Sequence, residues 1–102
     1  MEKYLKEKVI IRSDRAGVFY GELASLEPLG DKLMVEMKNC RRLWYWDGAA
    51  SLSQLATNGT TAPANCKFTV TVPSMTILGV IEIIPCTRVA IKSIESVDVW
   101  KR

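Results

Sequence analysis

The chain has 102 residues and a mass of 11.4 kDa, enough for one domain with one modest core and too little for two. Its 48% hydrophobic and 25% charged residues are typical of an ordinary folded domain and argue against a disordered chain. The formal net charge of +3 comes from scattered basic residues, so it is a weak indication of nucleic-acid binding and mildly favours an anionic partner.

The cysteine and histidine content limits the chemistry further. Three widely spaced cysteines, an odd number, favour reduced thiols in a cytoplasm over a disulfide framework. The chain has no histidine and no CxxC pair, so a conventional zinc site has too few ligands. The N-terminal sequence MEKYLKEKVIIRSD carries charges within its apolar run, which fits neither a signal peptide nor a membrane span. These features predict a cytoplasmic protein with no metal, no cofactor and no membrane partner.

The first part of the chain predicts strands joined by tight turns. Residues 9–11 form a β-branched run, and the SDRAG sequence after them has turn chemistry. Residues 18–26 are largely apolar on both faces, which predicts a central strand with a bend or bulge at Gly21. After a turn at residues 28–31, residues 32–38 alternate charged and apolar side chains, as a half-buried strand does.

The segment CRRLWYWDGAASLSQLA then combines arginines with large aromatic residues and ends in a helical pattern. Extended backbone over residues 41–46 would divide its side chains between two faces: Arg42, Trp44 and Trp46 on one, and Arg41, Leu43 and Tyr45 on the other. Beyond them, Ser51 and Gln54 have the form of a capping box, and Asn58-Gly59 has the form of a helix stop. One short helix is therefore predicted between these signals.

The second part of the chain predicts further strands and a last helix. Residues 66–72 alternate regularly and predict a strand that Pro73 closes. Residues 77–84, ILGVIEII, are almost wholly apolar and predict a strand buried on both faces or one in contact with another subunit. Thr87 can cap a last short helix, and residues 97–100 are expected to pair back as an edge strand.

Together these elements predict a single domain over residues 1–102. Its class is mainly β (α+β), with a small, strongly bent antiparallel sheet or partly open barrel. The pattern gives five to seven strands and one or two short helices.

The arginine and aromatic segment is the candidate ligand site. Arginine pairs bidentately with phosphate, and tryptophan or tyrosine stacks on a base, so alternation of the two types suits a nucleotide-like ligand. Arg41 and Arg42 would then pair phosphates, with Trp44, Tyr45 or Trp46 stacked on a base. The alternative is that the aromatics are hydrophobic core and that the arginine stems pack across them.

No catalytic residue is predicted. Cys40 lies next to two arginines that would lower the pKa of a thiol, but no histidine is present to act as a base, and a buried thiol is the alternative. Carboxylate pairs such as Glu22 and Glu27 lack the spacing that would bring them together for paired-acid hydrolysis. A non-enzymatic protein is therefore expected.

Several stretches resemble a family of short tailed-phage and prophage proteins recorded as a domain of unknown function: RSDRAGVFYGELASLE, NCRRLWYWDGAASLSQLA, NCKFTV, IEIIPCT and SVDVWK. The resemblance implies no assigned catalytic residue. It also implies a phage setting, where small non-catalytic proteins act as virion accessories, inhibitors of host enzymes or sponges for the nucleotide signals of antiphage immunity. In addition, GVFYGEL followed by LMVEM is similar to the early strands of Sm-like small barrels, although the Asp-x-apolar-Asn motif of that family is missing.

These observations lead to one main functional hypothesis and two others. The main hypothesis is a phage protein that sequesters a small anionic, nucleotide-derived molecule. The alternatives are a protein–protein interaction module, which docks on a host protein or the virion, and a nucleic-acid-binding small barrel. Because the apolar surface of residues 77–84 exceeds what two short helices readily cover, a homo-oligomer with the ligand site between subunits is expected. If the helices and the other strands do cover it, the protein is a monomer.

Overall fold

The computed structural model describes residues 2–101, which form five β-strands and two α-helices. The elements in chain order are β1 Lys8–Ser13, β2 Gly17–Leu29, β3 Lys32–Tyr45, α1 Leu52–Asn58, β4 Lys67–Phe68, β5 Val72–Pro85 and α2 Arg88–Ser96, with short 3-10 helices at Glu2–Tyr4 and Pro63–Asn65. The prediction of a mainly β domain with a strongly bent antiparallel sheet and two short helices is confirmed. Among the described residues, no helix is long and apolar enough to cross a membrane.

The four long strands pair in a closed cycle. β2 pairs with both β1 and β3, and β5 pairs with both β3 and β1, antiparallel throughout. The predicted first hairpin is present, with Ser13 opposite Gly17. The bulge expected at Gly21 is also present, since the register between β2 and β3 shifts at this point. The short strand β4 extends the sheet from the far end of β3, where Phe68 lies opposite Leu43.

Two apolar cores explain why several strands are hydrophobic on both faces. One core is built from all four strands of the cycle, and Val9, Ile11 and Phe19 belong to it. The other lies between the sheet and the helices, and Ile10 and Tyr20 point into it. Neighbouring residues on a strand point to opposite faces, so β1 and β2 each supply both cores. This arrangement confirms that residues 18–26 form a central strand.

A bulge at Gly79 changes which residues of β5 are buried. The alternation in ILGVIEII predicts Ile77 and Val80 on opposite faces, and this assignment is wrong because both side chains enter the core. Gly79 has φ of 69°, and the register against β3 shifts beside it. The extra residue turns Val80 into the core and leaves Ile81 48% exposed, whereas Leu78, before the bulge, is 55% exposed.

The strand predicted over residues 66–72 is also wrong. The chain pairs with β3 only at Lys67–Phe68, leaves the sheet, and begins a new strand at Val72 that contains Pro73 instead of ending there. Pro73 is tolerated because this half of β5 has a strand on one side only, so its missing N–H group breaks no second ladder.

Both helices begin where the sequence predicts. The Ser51 hydroxyl accepts a hydrogen bond from the Gln54 N–H at 3.1 Å, and the Thr87 hydroxyl accepts one from the Ala90 N–H at 3.1 Å. α1 ends at Gly59, as expected. The C-terminal edge strand expected at residues 97–100 is reduced to a single bridge between Val99 and Phe68.

Candidate functional site

Arg41, one of the two arginines expected to bind phosphate, lies inside the protein and is only 4% exposed. Its guanidinium donates hydrogen bonds to four carbonyl oxygens: those of Thr69, Ile94, Val97 and Phe68, at 2.9 to 3.1 Å. Burial lowers the pKa of Arg41, although the negative charge nearby on α2 acts in the opposite direction. Arg41 therefore joins β3 to the C-terminal end of α2 and to the segment after β4, and it is not presented to a dissolved ligand.

A polar cluster next to Arg41 also ties the sheet to α2. The Tyr20 hydroxyl and the Lys8 ammonium both donate to Glu95 Oε2, each at 2.6 Å. Burial raises the pKa of Tyr20, and the Glu95 carboxylate raises it further. Burial alone would raise the pKa of Glu95, but the hydrogen bonds from Lys8 and Tyr20 and the charges of Lys8 and Arg41 outweigh it and lower the pKa. The members are distant in sequence, which is why sequence analysis missed them.

Arg42 points to the other face of β3. Its guanidinium carbon lies 4.5 Å from the centroid of the Phe19 ring, and Nη1 donates to the carbonyl oxygen of Ala16. Among the described side chains, no carboxylate lies within 4.0 Å of Arg42. Arg42 is therefore held in place by an aromatic ring and a carbonyl, and its positive charge is not neutralised by either.

Trp44 is the centre of an exposed aromatic and basic face. It is 59% exposed and stacks on Trp100, with ring centroids 5.5 Å apart and an interplanar angle of 21°. Lys67 Nζ lies 5.4 Å from the centroid of each of these rings and 5.9 Å from that of Tyr45, which is 48% exposed. We call these four residues, together with Arg42, the Trp44 face.

Trp46 has a different environment. It is half-buried and packs against the core beneath the helices. Together with Arg42 and Trp44 it lines a shallow depression of about 270 Å³, beside the start of β2. The three side chains that alternation places on one face of the strand therefore do meet around one depression, and Trp46 forms its buried edge.

The structure places Cys40 in the core of the strand cycle, with none of its surface exposed. Burial raises the pKa of its thiol to about 12, and the charge of Arg42 opposes this only in part. A thiol with that pKa is protonated near neutral pH and is a poor nucleophile. The buried-thiol interpretation therefore describes Cys40 better than the nucleophile interpretation does.

Sequence analysis missed two members of the Trp44 face. Trp100 lies beside Trp44 because its backbone N–H donates a hydrogen bond to the Phe68 carbonyl at 2.9 Å. This bond is next to the bridge between Phe68 and Val99. Lys67 lies on the Trp44 face because it pairs with Tyr45 in the sheet. The sequence signal that could have indicated Trp100 is that a third tryptophan lies 54 residues beyond Trp46, in a segment without a strong strand or helix pattern.

The fold and this face define a small, mainly β domain with an exposed cluster of aromatic and basic side chains. The chain belongs to the family described as Domain of unknown function (DUF6948), whose model matches residues 6–94. No curated protein and no solved structure matches the chain.

Proposed function

We propose that this protein is a non-enzymatic binding protein, and that its Trp44 face holds a small anionic molecule derived from a nucleotide. The observation that carries the proposal is the exposed stack of Trp44 on Trp100 with the Lys67 ammonium beside both rings. A planar base gains about 1–3 kcal/mol by stacking on an aromatic side chain. The face therefore supplies a surface for a base and a cation for a phosphate.

Arg42 supplies the second cation. Within residues 2–101, Arg42 uses one N–H group, in the bond to the Ala16 carbonyl, and its planar guanidinium suits bidentate pairing with phosphate oxygens. Arg42 lines one depression with Trp44, and Lys67 Nζ lies 5.4 Å from the centroid of the Trp44 ring. A nucleotide stacked on Trp44 would therefore have two cations nearby, whereas the buried Arg41 would act only by holding the strand in place.

The resemblance to short phage and prophage proteins adds a biological setting to this proposal. In that setting the protein would act in the cytoplasm of the host cell and sequester a nucleotide signal of antiphage immunity. Sequestration requires binding without turnover. The buried, protonated Cys40 and the lack of histidine in the sequence agree with such a role.

Thermal unfolding with a panel of cyclic dinucleotides and ADP-ribose derivatives tests the proposal. A ligand at a hundred times its Kd should add about 2.7 kcal/mol to the free energy of unfolding. Trp44→Ala should weaken that ligand by about 5- to 150-fold, because stacking is lost, whereas Trp44→Phe should keep most of the affinity. Arg88→Gln, which changes an exposed arginine on α2, is the control. A panel that leaves the wild-type melting temperature unchanged would contradict the proposal.

A protein–protein interaction module is the second candidate function. The depression beside Trp44 measures about 270 Å³, slightly less than the roughly 300–1,000 Å³ of usual ligand pockets. Exposed tryptophan, tyrosine and arginine are also the residue types enriched where proteins bind one another. If Trp44→Ala abolishes capture of one host protein while no small molecule binds the wild type, this function replaces the first. Affinity for nucleic acid that falls steeply with salt would instead indicate the small-barrel hypothesis.

The exposed apolar side chains of β5 favour contact with a second copy of the chain, and we propose a homo-oligomer. Ile81 is a candidate contact, because it is 48% exposed and lines a broad depression with Pro28 and Leu33. The wild type should sediment above 11.4 kDa at micromolar concentration, and Ile81→Lys should sediment as a monomer. Thr57→Lys, at an exposed position on α1, should leave the mass unchanged. A wild-type protein that sediments as a monomer at every concentration would contradict the oligomer proposal.

A further inference from the structure

One half of β5 has an open edge. β1 pairs only with the part of β5 from Val80 to Pro85, so on that side the preceding residues, 72–78, have no strand partner within the described chain. The open half reads VPSMTIL and contains no charged residue. Natural edge strands are commonly protected by charges, and here Pro73 removes only one donor at the start. The Leu78 carbonyl already accepts a hydrogen bond from the Ser13 hydroxyl at 2.7 Å, so the backbone of residues 74–77 is the part that remains able to pair with another strand.

A groove runs beside this open edge. It has a volume of about 640 Å³ and lies between the last residues of the open half and the turn that joins β1 to β2. Its apolar lining comes from Phe19, Met75, Ile77 and Leu78. Leu78 is 55% exposed, so the groove presents apolar surface to solvent. We call this site the β5 groove.

The charge around the β5 groove is positive. Arg15 and Arg42 both line it, and neither has a carboxylate within 4.0 Å among the described side chains. The acidic residue on the same turn, Asp14, already faces Lys32 at 3.5 Å. A ligand that brought its own carboxylates would therefore neutralise two arginines that the fold leaves without an acidic partner.

We propose that the β5 groove binds an extended segment of another protein whose groove-facing side chains include both apolar residues and aspartate or glutamate. The segment would pair with residues 74–77 as an added strand. Main-chain hydrogen bonds would then supply affinity, and contacts between every second side chain and the groove would supply specificity. Every second side chain of an added strand points to the same face, and the side chains on the groove side would meet both the apolar lining and the two arginines. This site shares Arg42 with the Trp44 face but otherwise does not depend on the ligand proposed there.

The charge distinguishes this occupant from a second copy of the chain. A second copy paired through the same edge would present the uncharged sequence VPSMTIL and its own two arginines, and the carboxylate at its groove, Asp14, already faces Lys32. A small amphipathic anion would satisfy the arginines and the apolar lining. It would leave the backbone edge unpaired.

Selection from a displayed library of random nonapeptides on the immobilised full chain tests the proposal. The enriched peptides should carry both apolar and acidic residues among the side chains at every second position. One of them, labelled with fluorescein, should bind in fluorescence polarisation, and Arg15→Glu should weaken it about fivefold or more through loss of attraction and new repulsion. Arg88→Glu reverses the charge of another exposed arginine and should change the affinity by less than about twofold.

N-methylation of the peptide backbone, one position at a time, separates strand pairing from other modes without altering the protein. Binding should be lost at every second position, because only alternate N–H groups of an added strand face β5. No enrichment, enriched peptides without acidic residues, equal effects of the two arginine variants or a uniform N-methylation response would each overturn the proposal. So would spontaneous disulfide linkage between two copies of a Ser74→Cys, Thr76→Cys variant, which would show that a second copy occupies the edge.

Discussion

Replacement of Arg41 by alanine should lower the free energy of unfolding by about 3–5 kcal/mol, a large share of the roughly 5–15 kcal/mol of a domain this size. The guanidinium is buried and donates to four carbonyl oxygens. Alanine leaves these acceptors without their donor, and each buried unpaired acceptor costs about 1–3 kcal/mol unless water reaches it. Two of the carbonyls, of Ile94 and Val97, lie at the C-terminal end of α2, where a cation is also favourable.

Urea denaturation followed by circular dichroism measures this effect, and the neighbouring arginine gives a matched control. Arg42→Ala removes the same number of atoms one residue away, but it loses only a contact with Phe19 and one carbonyl bond at the surface. It should cost about 1 kcal/mol. Arg41→Lys should fall between the two, because one ammonium cannot reach acceptors spread around a planar fork. Equal costs for Arg41→Ala and Arg42→Ala would refute the structural role assigned to Arg41.

Replacement of Gly59 by alanine should cost about 3 kcal/mol or more. Gly59 ends α1 with φ of 77° and ψ of −159°, a region that almost only glycine occupies and that costs other residues about 1–3 kcal/mol. A Cβ atom there would also clash with the Cβ and the Oγ of Ser93 on α2. The two helices would have to move apart to admit it, and the core beneath them includes Leu55 and Ile94.

Gly30→Ala separates the two causes. Gly30 has a similar φ of 68°, but a Cβ there would meet no atom within 4 Å, so it should show the backbone cost alone. Ser93→Gly in the Gly59→Ala protein should recover part of the loss, because it removes both clashing atoms. If Gly59→Ala costs no more than Gly30→Ala in thermal and urea unfolding, the close contact between the helices is not as described.

Most of the local structure can be predicted from the sequence. Alternation and turn chemistry predicted the first hairpin, and the hydroxyls of Ser51 and Thr87 begin the two helices as expected. The errors lie where one residue changes the register. Even alternation predicts Val80 on the face opposite Ile77, yet the bulge at Gly79 moves Val80 into the core. The prediction that Pro73 ends a strand is wrong because the effect of a proline depends on whether a second strand lies beside it, and that is a tertiary property.

The candidate site shows the same division between local and tertiary information. Alternation correctly places Arg41 and Arg42 on opposite faces of β3, but it does not indicate which face is exposed to solvent. That choice depends on α2, which starts more than 40 residues later and covers the face that carries Arg41 and Leu43. The contributions of Lys67 and Trp100 arise in the same way, from chain segments that pair with or lie beside β3 and β4.

Arg41 of the RRLWYW motif and Trp100 are linked through a single oxygen atom. The carbonyl of Phe68 accepts a hydrogen bond from Arg41 Nη2 at 3.1 Å and another from the backbone N–H of Trp100 at 2.9 Å. The arginine thus holds the same peptide group that fixes the aromatic partner of Trp44. Arg41 is in this sense a positioning residue for a surface that it never reaches, and a change in the interior of the protein is transmitted to the exposed tryptophan stack through one shared acceptor.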